Sequence, residues 1–222
     1  MLTTQNVGDT QKMEGFEEQL KKALAELRKE KERKFEQTID LIINLQKFDV
    51  KKNQLNFLIK VPHKIKKKKI AGFFEIKNKN IETITPEEFK KYSEKNELKK
   101  MIKKFDFFIS QASLMPKVAT TFGRVLGPAG KMPSPQMGIL LNTDDKAINE
   151  LKEKIENSIK IKIKESSIKL PIAKQNMKDE EIIENILAVY NAVVKELPKN
   201  QENIKNIEIK LTMSKPQKIK IR

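Results

Sequence analysis

The sequence contains no cysteine and only one histidine among its 222 residues. These absences exclude disulfides, thiol catalysis, Cys-based metal sites and Cys/His triads. The single histidine, His63, follows a proline, and a lone histidine is far more often structural than catalytic. The acidic residues are scattered among lysines and form no acid/base pair. We therefore expect a protein that is not an enzyme and has no cofactor or metal.

Long apolar runs and aromatic residues other than phenylalanine are also scarce, with no tryptophan and two tyrosines against eleven phenylalanines. No apolar run reaches the roughly 18 residues that a membrane span needs. Residues 1–10 lack the basic start and apolar stretch of a secretory signal. With 38% hydrophobic residues, we expect an intracellular chain with two modest cores and no membrane partner.

Positive charge, in contrast, is abundant. Lys and Arg total 46 against 30 Asp and Glu, giving a formal net charge of +16. Such a surplus favours a polyanionic partner, because each neutralised phosphate releases condensed counterions. The alternative is a lysine-rich composition without a nucleic-acid partner, which the many Ile, Lys and Asn residues also fit.

The first third of the chain has helical and strand patterns. Residues 1–14 are polar and predict a flexible tail. Two helical faces follow, one formed by Phe16, Leu20, Leu24 and Leu27 and the other by Phe35, Ile39, Ile42 and Ile43. Alternation over residues 54–61 predicts a strand that Pro62 ends. The lysine-rich run 64–69 then indicates a domain boundary.

The middle third, from about residue 68 to 156, alternates short apolar runs with helix-start signals. The runs are 70–74 and 105–109, and the helix starts are at Pro86, at Met115-Pro116 and at Asp144 or Asp145. A loop rich in Gly and Pro is predicted at 123–133. This alternation is typical of an α/β layer with parallel strands.

The last third predicts a hairpin, a helix and a final strand. Residues 159–163 and 168–172 alternate around the polar segment 165–167, Asp179 caps a helix carrying Ile182 to Val194, and residues 207–213 form a long strand. The simplest architecture joins these elements to the N-terminal ones, with the middle α/β unit inserted between them. Two chain crossings would then allow hinge motion near His63 and Ile159.

The strand lysines are candidates for phosphate contact. Lys160, Lys162 and Lys164 share one face by the period of two, and Lys169 would lie on the neighbouring strand. Together they would form a basic patch that tracks phosphates. A solvated sheet face explains the same pattern, and both interpretations stay open.

The Gly/Pro segment 123–133 looks at first like a phosphate cradle. Its glycine spacing does not match a Walker A loop, and Met132 stands where Ser or Thr would hold magnesium. Tight backbone turns explain the glycines better. Arg124 and Lys131 remain candidates for contact with a backbone phosphate.

Thr212, Met213 and Ser214 lie at the end of the last strand. One interpretation places Met213 inward and the two hydroxyls outward. The other has a hydroxyl bonding a ribose 2′-OH while Met packs on a sugar or base, since proteins recognise double-stranded RNA largely by shape and sugar contacts.

Several segments resemble the L-one family of large-subunit ribosomal proteins, in its archaeal form. They are 34–40 (KFEQTID), 61–63 (VPH), 105–116 (FDFFISQASLMP), 123–133 (GRVLGPAGKMP) and 210–214 (KLTMS). Their order agrees with the family, and the resemblance covers the chain from about residue 30 to the end.

The resemblance implies a two-domain α/β (α+β) fold. A split two-layer domain would combine residues 15–65 and 157–222 and bind RNA, while residues 66–156 would form an inserted Rossmann-like, three-layer domain. It also implies a cytoplasmic ribosomal protein that binds large-subunit ribosomal RNA beside other ribosomal proteins. Such a protein forms the mobile stalk at the tRNA exit site, assists release of deacylated tRNA and represses translation of its own messenger.

The resemblance further implies the RNA-binding residues. The first group is Lys34, Phe35, Thr38 and Asp40, and the second is Thr212, Met213 and Ser214. Ser214 replaces a usual glycine, which would allow closer backbone approach, and Ala129 replaces a usual arginine of the Gly/Pro segment, which removes a bidentate charge. Two alternative functions are a free messenger-binding repressor and a nucleotide-dependent enzyme, the latter disfavoured by the missing phosphate motif.

Overall fold

The computed structural model describes residues 5–30, 33–50, 56–78, 80–93, 95–135, 138–141, 144–163 and 165–219. The chain divides into two compact units: unit one contains residues 1–65 and 157–222, and unit two contains residues 66–156. Both helices and sheets are present, which confirms the predicted α+β class. Among the described helices, none is both long and apolar enough to cross a membrane.

Unit one has two helices and six strands among its described residues. They are α1 (Gln5–Arg28), β1 (Thr38–Leu45), β2 (Asn56–Lys60), β7 (Ser158–Lys162), β8 (Ser167–Lys174), α5 (Asp179–Glu196), β9 (Ile204–Leu211) and β10 (Gln217–Ile219). A short 3₁₀ turn at Asn200–Asn203 precedes β9.

The main sheet of unit one is antiparallel, with strand order β10-β9-β1-β8. Its central strand, β1, buries every second residue. The buried residues are Ile39, Leu41, Ile43 and Leu45, which pack in one core with side chains of α1 and α5. The predicted helical face at Phe35, Ile39, Ile42 and Ile43 is therefore wrong: the β-branched residues satisfy a period of two as well, and packing between two neighbouring strands decides for the strand.

The predicted hairpin between β7 and β8 is also wrong. Strand β7 pairs antiparallel with β2, with Ile159 opposite Ile59, whereas β8 pairs with β1. A short polar connection indicates a hairpin only when the two strands share a sheet. Here the apolar face of β7 is matched by a strand that lies about a hundred residues earlier in the chain.

Two helix starts of unit one differ from the prediction. Helix α1 begins at Gln5, so the predicted tail is wrong for residues 5–14, whereas residues 1–4 lie outside the described part of the chain. Its face at Phe16, Leu20, Leu24 and Leu27 is buried as predicted. Asp179 is the first residue of α5 rather than its cap, which is Lys178.

Unit two contains a parallel sheet with strand order β4-β3-β5-β6. Its elements are β3 (Ile70–Phe73), β4 (Glu82–Ile84), a 3₁₀ helix (Glu88–Ser93), α2 (Lys95–Lys104), β5 (Phe107–Gln111), a 3₁₀ turn (Ala112–Leu114), α3 (Met115–Ala129), β6 (Ile139–Leu140) and α4 (Asp145–Glu156). The Pro86 signal thus starts only a 3₁₀ helix.

Alternate residues of the parallel strands enter two separate cores, one on each face of the sheet. Phe73 and Phe108 pack with Phe122 of α3 on one face, and Ile109 packs with Ile148 of α4 on the other. The predicted α/β layer with parallel strands is confirmed, and it has three layers.

The predicted loop at 123–133 is wrong over its first half. Helix α3 continues through Gly123, Gly127 and Pro128 to Ala129. The helix ends at Gly130, whose φ of 70° is the left-handed conformation that glycine adopts at helix ends. A glycine is needed at this one position, because an L residue there would be strained.

Candidate RNA interface

Two distant parts of the chain meet at one end of the main sheet of unit one. The backbone N–H of Thr38 donates to Thr212 Oγ1 at 3.1 Å, and the backbone N–H of Thr212 donates to the Thr38 carbonyl at 3.1 Å. These residues are 174 positions apart in the sequence. The antiparallel pairing of Ile39 with Leu211 brings them together, since it places the start of β1 beside the end of β9.

The turn after β9 is held by the hydroxyl of Ser214. The Leu211 N–H donates to Ser214 Oγ at 2.8 Å, and the Ser214 N–H donates to the Leu211 carbonyl at 3.0 Å. Among the described non-glycine residues, only Lys47 and Asn200 have positive φ. Serine therefore fits this position without backbone strain, and its side chain adds a bond that a glycine could not make.

Gln37 is a positioning residue that sequence reasoning missed. Its side chain is 3% exposed, and its Oε1 accepts the N–H of Met213 at 3.2 Å. Its carbonyl accepts the N–H of Gln175 at 2.9 Å, and the neighbouring Glu36 forms an ion pair with Lys174. A buried amide in a polar segment gives no signal in the sequence, because its burial depends on the strands around it.

Two large apolar side chains are exposed at the same end of the sheet. Phe35 is 53% exposed and Met213 is 58% exposed. Of the two interpretations, the one that places Met213 inward is wrong, because the predicted strand 207–213 ends at Leu211 and Met213 lies in the turn. Lys34 beside Phe35 is also exposed. We call residues 34–38 and 212–214 together the Thr-Met-Ser edge.

Asp40 lies one step inside this edge, in the centre of the sheet. It stands opposite Lys210 on β9 and opposite Pro171 on β8. Burial raises the pKa of its carboxyl above the usual value, and the positive charge of Lys210 opposes that rise. The structure thus places Asp40 as a half-buried partner of Lys210 rather than as a group presented to a phosphate.

The predicted lysine patch is not assembled on one hairpin. Lys160 lies on β7, where burial and then the charge of Lys162 lower its pKa below the usual value, and Lys162 itself is exposed. Lys169 is on β8 in the other sheet, opposite Ile42 and 3.9 Å from Glu165. Lys164 lies outside the described residues. Among the described members of this set, Lys162 and Lys169 are the exposed cations.

The two candidate residues of unit two, Arg124 and Lys131, differ in their surroundings. Arg124 is exposed on α3. The ammonium of Lys131 instead donates to the carbonyls of Ile102 and Phe105, each at 2.7 Å. Both carbonyls lie at the C-terminal end of α2, where a cation complements the helix dipole. Contact of Lys131 with a phosphate would require breaking these bonds.

The Thr-Met-Ser edge combines the groups that RNA shape recognition uses. The Thr212 hydroxyl donates to the Thr38 carbonyl at 3.3 Å and accepts the Thr38 N–H, which leaves one lone pair able to accept a ribose 2′-OH. Two exposed apolar side chains are able to pack on a sugar or base, and a lysine is able to meet a phosphate. The backbone under these groups is fixed by both strands and by Gln37. Little ordering entropy would therefore be lost on binding.

Comparison with known proteins identifies the family of the chain. The model of the ribosomal protein L1p/L10e family matches residues 27–215. The match therefore includes the whole of the Thr-Met-Ser edge and the whole of unit two.

Named relatives are similar over nearly their full length. A large ribosomal subunit protein uL1 of Nanoarchaeum equitans is 34% identical over 206 residues, covering 88% of this chain and 95% of that protein. Proteins with the same name from Pyrobaculum calidifontis and Thermococcus kodakarensis are 35% and 32% identical, covering 90% and 85% of this chain. Both comparisons cover most of the sequence and lead to one conclusion: the chain belongs to the ribosomal protein L1p/L10e family, in its archaeal form.

Proposed function

We propose that this chain is a non-catalytic component of the large ribosomal subunit that binds large-subunit ribosomal RNA through the Thr-Met-Ser edge. The observation that carries the proposal is the mutual hydrogen bonding of Thr38 and Thr212. It joins the two segments that the family resemblance associates with RNA. The names of the relatives, large ribosomal subunit protein uL1, support the ribosomal part of the proposal.

Recognition at this edge depends on shape more than on charge. The Thr212 hydroxyl and the exposed Met213 and Phe35 would contact sugars and base edges, while Lys34 would meet a phosphate. Lys162 and Lys169 would add phosphate contacts that position the duplex without reading its sequence. The net charge of +16 speeds the encounter with RNA, since charge steers association.

The finer parts of the proposal concern the ribosome as a whole. The chain would form the mobile stalk beside the tRNA exit site in the cytoplasmic ribosome, next to other ribosomal proteins, and assist release of deacylated tRNA. Unit one would hold the ribosomal RNA, and Arg124 of unit two would be available to tRNA or RNA. Binding of the chain's own messenger would use the same edge, so ribosomal RNA and messenger would compete.

The test is a binding titration of the purified chain with the stalk segment of large-subunit RNA and with a scrambled duplex, across a salt series. The variant is Thr212→Val/Met213→Ala, compared with Thr212→Ser/Met213→Ala, which keeps the hydroxyl. Thr121→Val/Leu141→Ala is a matched control, since both of its positions are exposed in unit two. Melting curves establish that each variant is folded.

We expect the Val/Ala variant to bind stalk RNA about 10- to 100-fold more weakly, corresponding to roughly 1.4–2.8 kcal/mol. The slope of affinity against salt should not change, because no phosphate contact is removed. The Ser/Ala variant should recover part of the loss, and the control should bind like the wild type. Equal binding to both RNAs, set by salt alone, would refute the proposal.

A further inference from the structure

A buried amide on α5 holds the backbone at the point where the chain leaves unit one. Asn185 is fully buried, at 0% exposure, on the helix face that also carries Ile182, Ile186 and Val189. A polar side chain on such an apolar face costs free energy unless its hydrogen bonds are made. Its position therefore calls for a specific set of partners.

Those partners come from His63 and from strand β8. The N–H of His63 donates to Asn185 Oδ1 at 3.0 Å, and Asn185 Nδ2 donates to the His63 carbonyl at 3.1 Å. The same Nδ2 also donates to the Ile172 carbonyl at 3.2 Å. One side chain thus satisfies both backbone groups of His63, as a neighbouring strand would, and ties them to the main sheet.

Two further contacts fix the same stretch of backbone. His63 Nε2 lies 2.7 Å from Glu184 Oε2, so neighbouring residues of α5 hold both the backbone and the ring of His63. Two residues earlier, the N–H of Val61 donates to the Asn157 carbonyl at 2.7 Å. That bond ties the outgoing chain to the returning chain within unit one.

We propose that Asn185 is a positioning residue that fixes the exit of the chain from unit one, so that any change in chain direction toward unit two begins after His63. The sequence predicted hinge motion near His63 and Ile159, and a hinge at either of these residues itself is disfavoured. Ile159 is paired with Ile59 inside a sheet, and His63 is held by three bonds to α5. We call the three bonds between His63 and the α5 residues Glu184 and Asn185 the latch. The lysine-rich run 64–69 follows the latch in the sequence.

The latch fixes the position of His63, where the chain leaves unit one, against helix α5 and strand β8. A buried, fully bonded amide resists slippage, because displacing His63 by one residue would remove both of its bonds to Asn185 and leave only the bond to the Ile172 carbonyl. The proposal goes beyond RNA binding and depends on no RNA contact. Its test therefore uses no RNA and cannot fail for the same reason as the proposed function.

The experiment is amide hydrogen exchange on the full chain, followed residue by residue, for wild type and Asn185→Asp. The carboxylate can still accept the His63 N–H but cannot donate to the two carbonyls, and it places a charge in the core. Asn191→Asp is the matched control, because Asn191 is exposed on the same helix. The Ile43 amide of the central strand reports global opening.

In Asn185→Asp we expect exchange at His63 to accelerate at least about tenfold more than exchange at Ile43. Trypsin should also cleave the 64–69 run several-fold faster, with no such change in Asn191→Asp. Equal acceleration at His63 and Ile43, or no change at His63, would overturn the latch. If Asn185→Asp does not fold, the wild type decides: a His63 amide exchanging as slowly as that of Val61 supports the proposal, and one exchanging like an unfolded peptide overturns it.

Discussion

The Thr-Met-Ser edge of unit one and the Gly/Pro segment 123–133 of unit two both carry the family resemblance, but they use their residues in opposite ways. The edge exposes Phe35 and Met213 and presents a hydroxyl beside them. In the Gly/Pro segment, two of the residues that stand out in the sequence stabilise the fold instead. Gly130 ends α3 with positive φ, and the Lys131 ammonium closes the end of α2.

This difference shows that a motif that identifies a family need not be the motif that contacts a partner. The Gly/Pro segment is the more distinctive sequence, and two of its residues have structural tasks: Gly130 adopts the left-handed conformation after α3, and Lys131 bonds carbonyls at the end of α2. The Thr-Met-Ser sequence is inconspicuous, since its value comes from a partner segment 174 positions away. A distinctive motif can therefore reflect how the chain folds, while an inconspicuous one supplies the contact surface that we propose.

The largest expected effect is a loss of stability, and it is seen by comparing Phe122 of unit two with Phe35 of the Thr-Met-Ser edge. Phe122 is 0% exposed in the aromatic cluster of unit two, with ring centroids 5.3 Å from Phe73 and 5.0 Å from Phe89. Phe122→Ala should destabilise unit two by about 3–5 kcal/mol, through lost burial and a cavity. Phe35→Ala should change stability by less than about 0.5 kcal/mol but weaken RNA binding.

Urea unfolding combined with native-state hydrogen exchange would measure both variants and assign each loss to its unit. A large stability loss for Phe35→Ala would mean that the exposed ring supports the fold of unit one. It would then be a poor probe of RNA contact, and the contrast between the two regions would weaken.

A smaller loss of stability would test whether Lys131 stabilises the fold of unit two. Lys131→Met keeps much of the side-chain length but leaves the carbonyls of Ile102 and Phe105 without the ammonium. We expect a loss of about 1–3 kcal/mol in the stability of unit two, seen as faster amide exchange in α2. Arg124→Met, at an exposed position of α3, should leave exchange in α2 unchanged. An unaltered α2 in Lys131→Met would instead favour Lys131 as an available cation.

The smallest effect concerns Asp40 and depends on pH. Burial raises the pKa of its carboxyl in the folded chain, so this group favours folding when protonated and disfavours it once pH rises through the folded-state pKa. Asp40→Asn should therefore stabilise unit one slightly at pH 7, by less than about 1 kcal/mol because the carboxyl stays partly exposed. The gain should vanish at pH 3, where the wild-type carboxyl is protonated.

Thermal melts of wild type and Asp40→Asn from pH 3 to pH 7 would show this trend. A destabilised Asp40→Asn at pH 7 would mean that attraction to Lys210 outweighs the cost of burial. Asp40 would then count as a net stabilising ion-pair partner.

Elements with an unambiguous period were predictable from the sequence. The buried face of α1 at Leu20, Leu24 and Leu27 and the buried run of β5 at Phe108 and Ile109 are found where the pattern placed them. The errors fell where a local pattern fits two structures. The isoleucines of β1 suit a helix or a strand, and the connection between β7 and β8 suits a hairpin or a crossover.

The candidate site was predictable in its residues but not in its assembly. The sequence pointed to Phe35, Thr38, Thr212 and Met213 through resemblance. It gave no hint of the buried Gln37 under the turn or of the Asn185 contact with His63, because each rests on a side chain whose surroundings come from a distant segment. The lysines of β7 and β8 were grouped by sequence proximity, yet their strands belong to different sheets.

The sequence by itself thus determined the α+β class, the family and the positive charge of +16, since composition, periodicity and motif order are properties of the linear chain. Only the tertiary structure decided which strands pair, which side chains stay exposed and which polar groups are already bonded. Those outcomes depend on apolar faces and buried hydrogen-bonding groups that are far apart in the sequence. Which of them come into contact is determined by the packing of the whole unit.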